Sequence, residues 1–470
     1  MYVILGGGIG GLSAAHYLQN ITTKHITLIE ASNRLGGWVK TTKTSKGFIF
    51  EHGPRTVRPK GIAGENTLAL VEELGLVNNV MHIPYNHPAA QNRFVYVNKQ
   101  LHALPNNFRS LLFTQPPFTK PLISALFQDL RTPKKVSTDE SIYEFVKRRL
   151  GKDIAEYAVS PLVCGVCAGD AKEISVKLLM KSLFEAEQQY GSITKGILMN
   201  MIKRKPNPIP LSKCELYERS EKERWSVWSL DEGLELLPET LKINAKRRGA
   251  NVMLNSPCQE LVFGPEKVTV KAGEKKLECD HIISSLPAKV LAPLLAKQHP
   301  ELSNDLLSIP TVTVAVVNLQ FKGRVLEKDA FGFLVPPSEK LPILGIVFDT
   351  CCFPKDSNTV LTVMMGGKWF EELYGKNPTP ERLLSTAMQQ VRSVLRISGA
   401  PEEHQVSVLR DCIPQYVLGH HERIERIKAY VRQHKLPLSF VGGSYEGIGV
   451  NDVILSARTA VSNLIRKDNS

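Results

Sequence analysis

The first thirty residues show two different hydrophobic patterns. "YVIL" (Tyr2 to Leu5) is a short apolar run, and after a glycine cluster the apolar residues from Leu12 to Leu18 recur at helical spacing. A second apolar run, "HITLIE", ends in Glu30. The pattern predicts a buried strand, a glycine turn, a helix and a second strand, which is the beginning of an α/β unit.

Further along, the pattern changes twice. From Leu101 to about Lys205 it is helical and basic, and prolines divide it into short pieces. Between Pro310 and Arg410 it is strand-like, and "TVTVAVVNLQF" (Thr311 to Phe321) predicts a long buried strand. The proline-rich "KRKPNPIPLSK" (residues 203–213) predicts a connector or an exposed loop.

One strand-like segment begins with a cation. In "AAQNRFVYV", Arg93 precedes the β-branched and aromatic residues that strands prefer. Alternation along a strand places Arg93 on the same face as Val95 and Val97. Arg93 therefore lies either at a strand edge with its head in water, or in a pocket where it meets an anion.

The composition is ordinary for a globular protein except in charge. Among 470 residues, 59 Lys+Arg oppose 46 Asp+Glu, which gives +13. Such a surface is either simply solvated or suits an anionic partner, such as a lipid headgroup or an acidic small molecule. Nucleic acid is not expected, because aromatic side chains do not alternate with the basic ones.

The eight cysteines indicate mostly free thiols, because none has metal-site spacing. "CGVC" (Cys164 to Cys167) lies in a mostly apolar run and is interpreted as buried thiols, and no metal is expected. His420 and His421 are interpreted as surface residues. We expect no cleavable presequence, since "YVIL" already has a core pattern, and no apolar run is long enough to span a bilayer.

The glycine cluster has the spacing of a dinucleotide-binding turn. Gly6, Gly8 and Gly11 fill the positions of G-x-G-x-x-G, and Glu30 follows at the offset expected of a ribose-binding acid. "RLGGWVKT" (34–41) and "FEHGPR" (50–55) add glycines and guanidinium groups, and "GGSYEGIGVND" (442–452) begins another helix. Together these segments predict a nucleotide site built from both ends of the chain.

This arrangement resembles the FAD-containing amine oxidase and desaturase superfamily, and in particular the mitochondrial protoporphyrinogen oxidase family. The more specific motifs are "AAQNRF", "FGFLVP", "VMMGG", "CIPQYVLGH" and "SYEGIGVNDVI". The resemblance covers residues 2 to about 460. It implies an FAD-dependent oxidase that converts protoporphyrinogen IX to protoporphyrin IX with dioxygen, releasing hydrogen peroxide, in heme biosynthesis.

The family resemblance also implies roles for individual residues. Arg93 would pair with a substrate propionate, and Phe331, Gly332, Leu334 and Met364 would line the substrate site. No residue is assigned as a general base. The implied FAD contacts are Gly6, Gly7, Gly8, Ile9, Gly10, Gly11, Glu30, Arg34, Trp38, Gly53, Pro54, Arg55, Thr56, Cys258, Gly443, Ile448, Gly449 and Val450. The C-terminal glycine segment contains no cysteine, so the FAD would be non-covalent.

The expected fold class is α/β (α+β overall), with three domains. A Rossmann-like FAD-binding domain of the amine oxidase superfamily would comprise residues 1–86, 225–286 and 411–470. A helical membrane-binding domain would comprise 87–205, and an inserted mixed-sheet substrate domain 206–224 and 287–410. The resemblance further implies a homodimer attached peripherally to the mitochondrial inner membrane. The basic residues beside apolar clusters in 106–135 suit a contact with anionic lipid, or else these apolar faces pack against each other within a helical subdomain. Ferrochelatase is left open as a further partner.

Two alternatives remain open on the sequence alone. The first is another flavin amine oxidase or a desaturase-type oxidoreductase, because the glycine segments are common to the superfamily. The second is a non-catalytic relative of the fold, which would keep the glycine fingerprint without using a flavin. A flavin absorption band in the purified protein would favour the flavoenzyme interpretations over the non-catalytic one.

Overall fold

The computed structural model describes residues 1–202 and 214–468. The predicted connector at 203–213 lies outside the described residues.

The strands are β1 Tyr2–Leu5, β2 Ile26–Ile29, β3 Thr41–Lys43, β4 Ile49–Glu51, β5 Val80–Pro84, β6 Arg93–Val97, β7 Gln100–Ala103, β8 Trp225–Leu230, β9 Asn251–Met253, β10 Cys258–Phe263, β11 Val268–Ala272, β12 Lys275–Cys279, β13 His281–Ser284, β14 Thr311–Phe321, β15 Gly332–Leu334, β16 Gly345–Phe348, β17 Thr359–Gly367, β18 Glu403–Pro414 and β19 Leu438–Phe440.

The helices are α1 Ile9–Ile21, α2 Gly61–Glu73, α3 Pro88–Gln91, α4 Phe108–Leu112, α5 Ser124–Arg131, α6 Ile142–Leu150, α7 Lys152–Ile154, α8 Ser160–Cys167, α9 Val176–Leu179, α10 Lys181–Tyr190, α11 Ile193–Ile202, α12 Glu215–Lys222, α13 Leu236–Arg247, α14 Ala288–Leu295, α15 Pro300–Leu307, α16 Asp349–Cys352, α17 Phe370–Tyr374, α18 Pro380–Leu395, α19 His420–Gln433 and α20 Val450–Asp468. Ala155–Val159 is π-helical, and Val77–Asn79 and Pro337–Glu339 are 3-10 turns.

The first of two large sheets is parallel and has five strands, in the order β19-β13-β1-β2-β9. Its central strand is buried along its whole length, as apolar runs covered on both faces should be. The predicted order of strand, glycine turn, helix and strand is confirmed, and Glu30 directly follows β2.

The two faces of this sheet carry separate cores, because successive strand residues point to opposite sides. Tyr2 and Ile4 pack with the helices α1, α2, α12, α13 and α20. Val3 and Leu5 pack with α14, α15, α19 and the small antiparallel sheet β10-β11-β12. The residues that follow the carboxyl end of β1 are the glycines of the predicted nucleotide turn.

The second large sheet is mixed and has seven strands, in the order β18-β14-β17-β16-β15-β6-β7. The predicted strand Thr311–Phe321 is confirmed as β14, which pairs with both β17 and β18. Only one of its pairings is parallel, that of β6 with β15. The helices α17 and α18 cover one face of this sheet, over the buried Phe333, Val363 and Met365.

Several segments pack in a different part of the molecule from the domain to which the predicted boundaries assigned them. β6 and β7 belong to the seven-stranded sheet and not to the helical region, because their backbone pairs with β15. The helix α12 packs in the first core, and α14 and α15 pack in the second, although all three were assigned to the substrate domain. These positions depend on tertiary packing, and no local sequence pattern indicated them.

Residues 104–202, called the helical region below, form a separate apolar core around Phe145, Val146 and Phe184. A buried charge cluster lies beside it, in which Arg149 donates to Asp129 and Arg148 to Glu187. Within residues 1–202 and 214–468, none of the helices combines the length and apolar character that crossing a membrane requires.

Candidate active site

One face of the seven-stranded sheet brings the predicted substrate residues together. Strand register places Arg93 opposite Gly332, Gly332 opposite Val347, and Val347 opposite Thr362. The neighbouring row contains Val95, Leu334, Gly345 and Met364. Because directly paired residues share a face, Arg93, Leu334 and Met364 project from the same side of the sheet. This side is called the Arg93 face.

Arg93 is half-buried, and its guanidinium carbon lies 5.6 Å from the centre of the Phe331 ring. Burial, and then the neighbouring Arg58, lower the pKa of Arg93. Among the described residues no carboxylate lies within ion-pair distance of this guanidinium, although buried arginines are normally paired. Its strand β6 lies between β15 and β7 and is not at the edge of the sheet, and the role of Arg93 as a pocket cation stays a prediction.

The helix α8 covers part of the Arg93 face. A Cβ built on Gly165 of this helix would lie 2.6 Å from Cδ2 of Leu334, so only glycine allows the two to be this close. Cys164 of the same helix and Ala168, which caps its C-terminus, pack with Val314 and Val316 of β14 and with Met364. The helical region thus packs directly against Leu334 and Met364 and shields this part of the Arg93 face.

A polar pair joins this face to the "FEHGPR" segment. Arg55 Nη1 lies 3.6 Å from Asp349 Oδ1, and Asp349 Oδ2 accepts a hydrogen bond of 2.7 Å from Thr362 Oγ1. Burial raises the pKa of Asp349, although Arg55 opposes this effect. Sequence reasoning did not single out Asp349 or Thr362, because no local motif marks them and only strand register brings them to Arg55.

Glu51 is a second buried carboxyl in the same area. Its Oε1 accepts from the Leu234 backbone N–H at 2.6 Å, and its Oε2 accepts from Thr41 Oγ1 at 2.8 Å. Burial raises its pKa to about 7, while these hydrogen bonds and Arg55 act in the opposite direction. Glu51 therefore links β4 to the start of α13 and lies in the electrostatic field of Arg55.

The glycines of the first turn have the geometry that the nucleotide fingerprint requires. Gly6 has φ +94°, and a Cβ on Gly11 would lie 1.9 Å from the Gly6 carbonyl oxygen, so both positions need glycine. A Cβ on Gly10 would lie 2.8 Å from Ser285 Oγ. The turn, strand and helix therefore pack as closely as a dinucleotide cradle demands.

The beginning of α1 is suited to a phosphate group. Ile9 begins the helix, Gly8 is its N-cap without a side-chain hydrogen bond, and the first turn contains no acidic residue. Within the described part of the chain, no side chain accepts from the N–H groups of Ile9, Gly10 and Gly11, so the first turn of α1 offers its donors to an anion. Glu30 Oε2 accepts from the Gly7 N–H at 2.7 Å, which fixes the acid beside the turn. These residues fit the phosphate and ribose of the expected FAD.

The "RLGGWVKT" loop packs directly on this turn. Gly36 N–H donates to the Gly7 carbonyl at 2.8 Å, and a Cβ on Gly37 would lie 3.0 Å from the Gly8 Cα. Arg34 donates to the carbonyls of Gly37 and Val39 and to Glu235. Its guanidinium therefore holds the loop in shape, whereas Trp38 is exposed.

The remaining predicted cofactor residues lie in two places. Gly53, Pro54, Arg55 and Thr56 are half-buried, and Gly53 meets the Trp38 carbonyl so closely that a Cβ would lie 2.4 Å from it. Cys258 begins β10, just after Ser256, whose N–H donates to the Glu30 carbonyl. Burial raises the pKa of Cys258 to about 11, so its thiol is protonated at neutral pH.

The C-terminal turn returns to the same area. Val441 N–H donates to the Ser284 carbonyl beside the first glycine turn, and Asn451 donates to the Arg58 carbonyl at 2.8 Å. Gly443, Ile448 and Gly449 form the turn, and Val450 begins α20. The structure thus brings the N-terminal, "FEHGPR" and C-terminal segments together, as the family arrangement predicted.

The interpretations of the cysteines and histidines have different outcomes. Cys164 and Cys167 are free and buried in α8, which confirms the interpretation as buried thiols, and burial raises the pKa of Cys167 to about 12. The interpretation of His420 as a surface residue is wrong, because His420 is fully buried and stacks on Tyr416. In the ranges 1–202 and 214–468, the His, Cys, Asp and Glu side chains form no group suited to a metal ion.

Comparison with known proteins agrees with this geometry. The model of the flavin containing amine oxidoreductase family matches residues 9–465. The chain is 41% identical to protoporphyrinogen oxidase of Bos taurus and 41% identical to that of Homo sapiens, covering 98% of each chain in both alignments. A solved structure from Exiguobacterium superposes with a TM-score of 0.79 at 23% identity, over 99% of this chain and 98% of that one. The chain therefore belongs to the flavin containing amine oxidoreductase family and, within it, to the protoporphyrinogen oxidase family.

Proposed function

We propose that this protein is an FAD-dependent oxidase that converts protoporphyrinogen IX to protoporphyrin IX. The observation that carries the proposal is a half-buried arginine without a carboxylate partner, placed beside apolar residues on one sheet face next to a dinucleotide cradle. The identity of 41% to protoporphyrinogen oxidases over almost the whole chain supports the same substrate.

The substrate is a large apolar macrocycle with two propionates, and the Arg93 face suits both parts. A guanidinium binds a carboxylate through two parallel hydrogen bonds, so Arg93 orients the ring as well as attracting it. Leu334 and Met364 offer an apolar wall, and α8 closes it against water.

The residues of the glycine cradle would hold FAD, which would supply the acceptor for the hydride that leaves a bridging carbon of the macrocycle. The chain would bind and position the reactants: the α1 N-terminus and Glu30 would hold the nucleotide, and Arg55 lies 3.6 Å from Asp349 on the substrate side. Positioning of this kind removes much of the entropic barrier to the transfer. Dioxygen would be the final acceptor, with hydrogen peroxide released.

The test of this proposal is turnover by the purified holoenzyme. Protoporphyrin fluorescence should appear in air from protoporphyrinogen faster than its spontaneous oxidation, and hydrogen peroxide should accompany it. A protein with a normal flavin spectrum that leaves protoporphyrinogen untouched, but oxidises an amine, would belong to the alternative flavoenzyme class. A folded protein that binds no flavin would be a non-catalytic relative.

We also propose that the helical region binds anionic membrane surfaces. Exposed apolar side chains concentrate there: Phe108, Leu112, Phe113, Leu126, Phe127, Leu130, Val136, Val166, Leu179, Ile197, Leu198 and Met201. Exposed basic residues, including Arg109, Arg131 and Lys134, lie among them. Apolar side chains with flanking cations are the composition of an interfacial contact that does not span the bilayer.

Liposome sedimentation tests this second proposal. Replacing Phe113 and Phe127 together by serine should reduce binding to anionic vesicles, because both rings are more than half exposed, at 67% and 58%. The matched control replaces Ile243 and Val290, which are exposed at 62% and 53% outside the helical region. Equal binding by both double variants would refute the assignment of this surface.

The cellular setting in the proposal follows the family resemblance. The protein would be a homodimer, attached peripherally to the mitochondrial inner membrane, and would pass its product to ferrochelatase. Sedimentation equilibrium of the holoenzyme measures the dimer, and fractionation of mitochondria after a carbonate wash measures peripheral attachment. A monomer in detergent-free buffer, or recovery from a soluble cell fraction, would contradict the corresponding part.

A further inference from the structure

The C-terminal turn of residues 442–449 depends on a hydroxyl group from outside it. Tyr416, just after β18, is 1% exposed, and its Oη donates to the Gly443 carbonyl at 2.8 Å. The same oxygen accepts from the Gly447 N–H at 2.7 Å. One hydroxyl therefore joins the two ends of the turn and satisfies two backbone groups at once.

The turn needs such support because its own backbone is unusual. Gly447 has φ +140°, a conformation that side chains other than glycine rarely adopt. Asp452 also supports the turn, because its Oδ2 accepts from the Gly449 N–H at 3.1 Å. Its side chain lies so close to Gly447 that a Cβ on this glycine would be 2.4 Å from the Asp452 Cβ.

The ring of Tyr416 is itself fixed in place. His420 stacks on it with a centroid separation of 3.7 Å, and His420 Nε2 lies 3.3 Å from the Tyr445 carbonyl oxygen. Burial lowers the pKa of His420 to about 4, so the imidazole is neutral at physiological pH and donates to that carbonyl. The hydroxyl of Tyr416 consequently has little freedom to leave the turn.

The same residue contacts the helical region through its backbone. The Tyr416 carbonyl accepts from the Ser175 N–H at 2.8 Å, and Val417 forms a bridge with Ile174. Ile448 of the turn also packs against the helical core. Tyr416 therefore lies where the seven-stranded sheet, the helical region and the C-terminal turn meet.

We propose that Tyr416 is a positioning residue for FAD, which sets the C-terminal turn so that Gly443 and Ile448 to Val450 can contact the cofactor. This inference rests on the proposed function only in taking FAD as the ligand of that turn. Tyr416 acts through the backbone of the turn and need not touch the cofactor.

Tyr416→Phe tests the role of the hydroxyl, since the variant keeps the ring, its burial and its stacking on His420. Tyr445→Phe is the matched control, because the Tyr445 hydroxyl is buried in the same turn and makes no hydrogen bond to the described residues. The measurement is the FAD dissociation constant, from quenching of flavin fluorescence during titration of each apoprotein. Thermal midpoints of the apoproteins report the stability of the fold separately.

The expected result is FAD binding weakened roughly five- to a hundredfold in Tyr416→Phe, the effect of losing both neutral hydrogen bonds of the hydroxyl, and unchanged in Tyr445→Phe. A lower apoprotein midpoint for Tyr416→Phe with an unaltered dissociation constant would overturn the inference, because the hydroxyl would then be purely structural. Equal weakening in both variants would overturn it too. Absence of FAD binding by the unaltered protein would reject the proposed function and this inference together.

Discussion

Arg93 is half-buried beside Phe331 with no carboxylate partner among the described residues, so its attraction is available to a ligand. We predict that Arg93→Ala raises KM for protoporphyrinogen about 30-fold, which corresponds to roughly 2 kcal/mol, the lower end for truncation of a buried charge pair. FAD content should not change, because Arg93 lies on the substrate face.

Steady-state fluorescence assays and the visible absorption spectrum measure the two quantities. Lys99→Gln is the control, since this exposed cation lies in the turn of the same hairpin. An unchanged KM for Arg93→Ala, or an equal change for Lys99→Gln, would mean that general surface charge and not a specific pair attracts the substrate.

Glu51 predicts a distinctive dependence of stability on pH. Its pKa is about 7 in the folded protein against 4.5 in an ordinary environment, so the folded state holds the proton more tightly than the unfolded state. Stability contributed by this group is therefore present below about pH 4.5 and is lost as pH rises to about 7. Glu51→Gln removes the titration, so the variant should gain up to about 3 kcal/mol relative to the unaltered protein across this window.

Chemical denaturation of the holoenzyme at several pH values measures that difference. Glu232→Gln, an exposed carboxyl that pairs with Lys43, should differ from the unaltered protein by a constant small amount. A constant difference for Glu51→Gln as well would show that Glu51 does not titrate abnormally.

Among the structural elements, the helical region depends most on its buried charges. Asp129 and Arg149 are both fully buried, and Asp129 also accepts from the Ile193 and Thr194 N–H groups at the start of α11. We predict that Asp129→Ala destabilises this region by about 3–5 kcal/mol, because the buried Arg149 guanidinium loses the nearer of its two carboxylate partners and keeps only Glu187 at 3.5 Å.

Glu185→Ala provides the comparison, since Glu185 pairs with Lys181 on the surface of the same region and should matter by less than about 1 kcal/mol. Hydrogen exchange of α5, α6 and α11 reports their local stability. Similar protection in the two variants would mean that the buried pair contributes no more than a surface pair.

The contact of α8 with β15 has its own prediction. Gly165→Ala would place a Cβ 2.6 Å from Leu334, so Leu334 must move within the substrate space. Overpacking of this kind costs about 1–3 kcal/mol, and we predict a fall in kcat/KM of roughly tenfold with unchanged FAD content.

Val166→Ala, at the exposed neighbouring position, is expected to leave kcat/KM unchanged. The same steady-state assay compares the two variants. Full activity of Gly165→Ala would show that Leu334 can move without consequence and that α8 does not shape the substrate space.

Across the whole molecule, the sequence predicted those secondary-structure elements whose formation depends mainly on residues close together in the chain. The strand, glycine turn and helix at residues 2–21 and the strand Thr311–Phe321 were all predictable, because each pattern lies within one short segment. Arg93 could be identified as a candidate cation from its position at the head of β6. The family motifs then supplied the substrate class.

Long-range register and packing could not be predicted in this way. Asp349 reaches Arg55 only because β16 pairs with β15 and β17 in a particular register. His420 lies in a hydrophilic segment, so its sequence context predicts a surface position. In the structure it is buried against Tyr416, where the C-terminal turn packs. The helices α14 and α15 pack on the parallel sheet, because their apolar side chains form part of the second core on one face of that sheet.

The central claim is that FAD held by this chain takes electrons from protoporphyrinogen bound at the Arg93 face. Anaerobic rapid mixing of the holoenzyme with protoporphyrinogen tests it most directly, by following flavin absorption and porphyrin fluorescence together. The account predicts that protoporphyrinogen bleaches the flavin without air, and that porphyrin fluorescence rises fully only when air is admitted, because each porphyrin requires three two-electron oxidations and each flavin accepts one electron pair. It also predicts that Arg93→Ala needs much more substrate for the same rate of bleaching. A flavin that stays oxidised in the presence of excess protoporphyrinogen would contradict it.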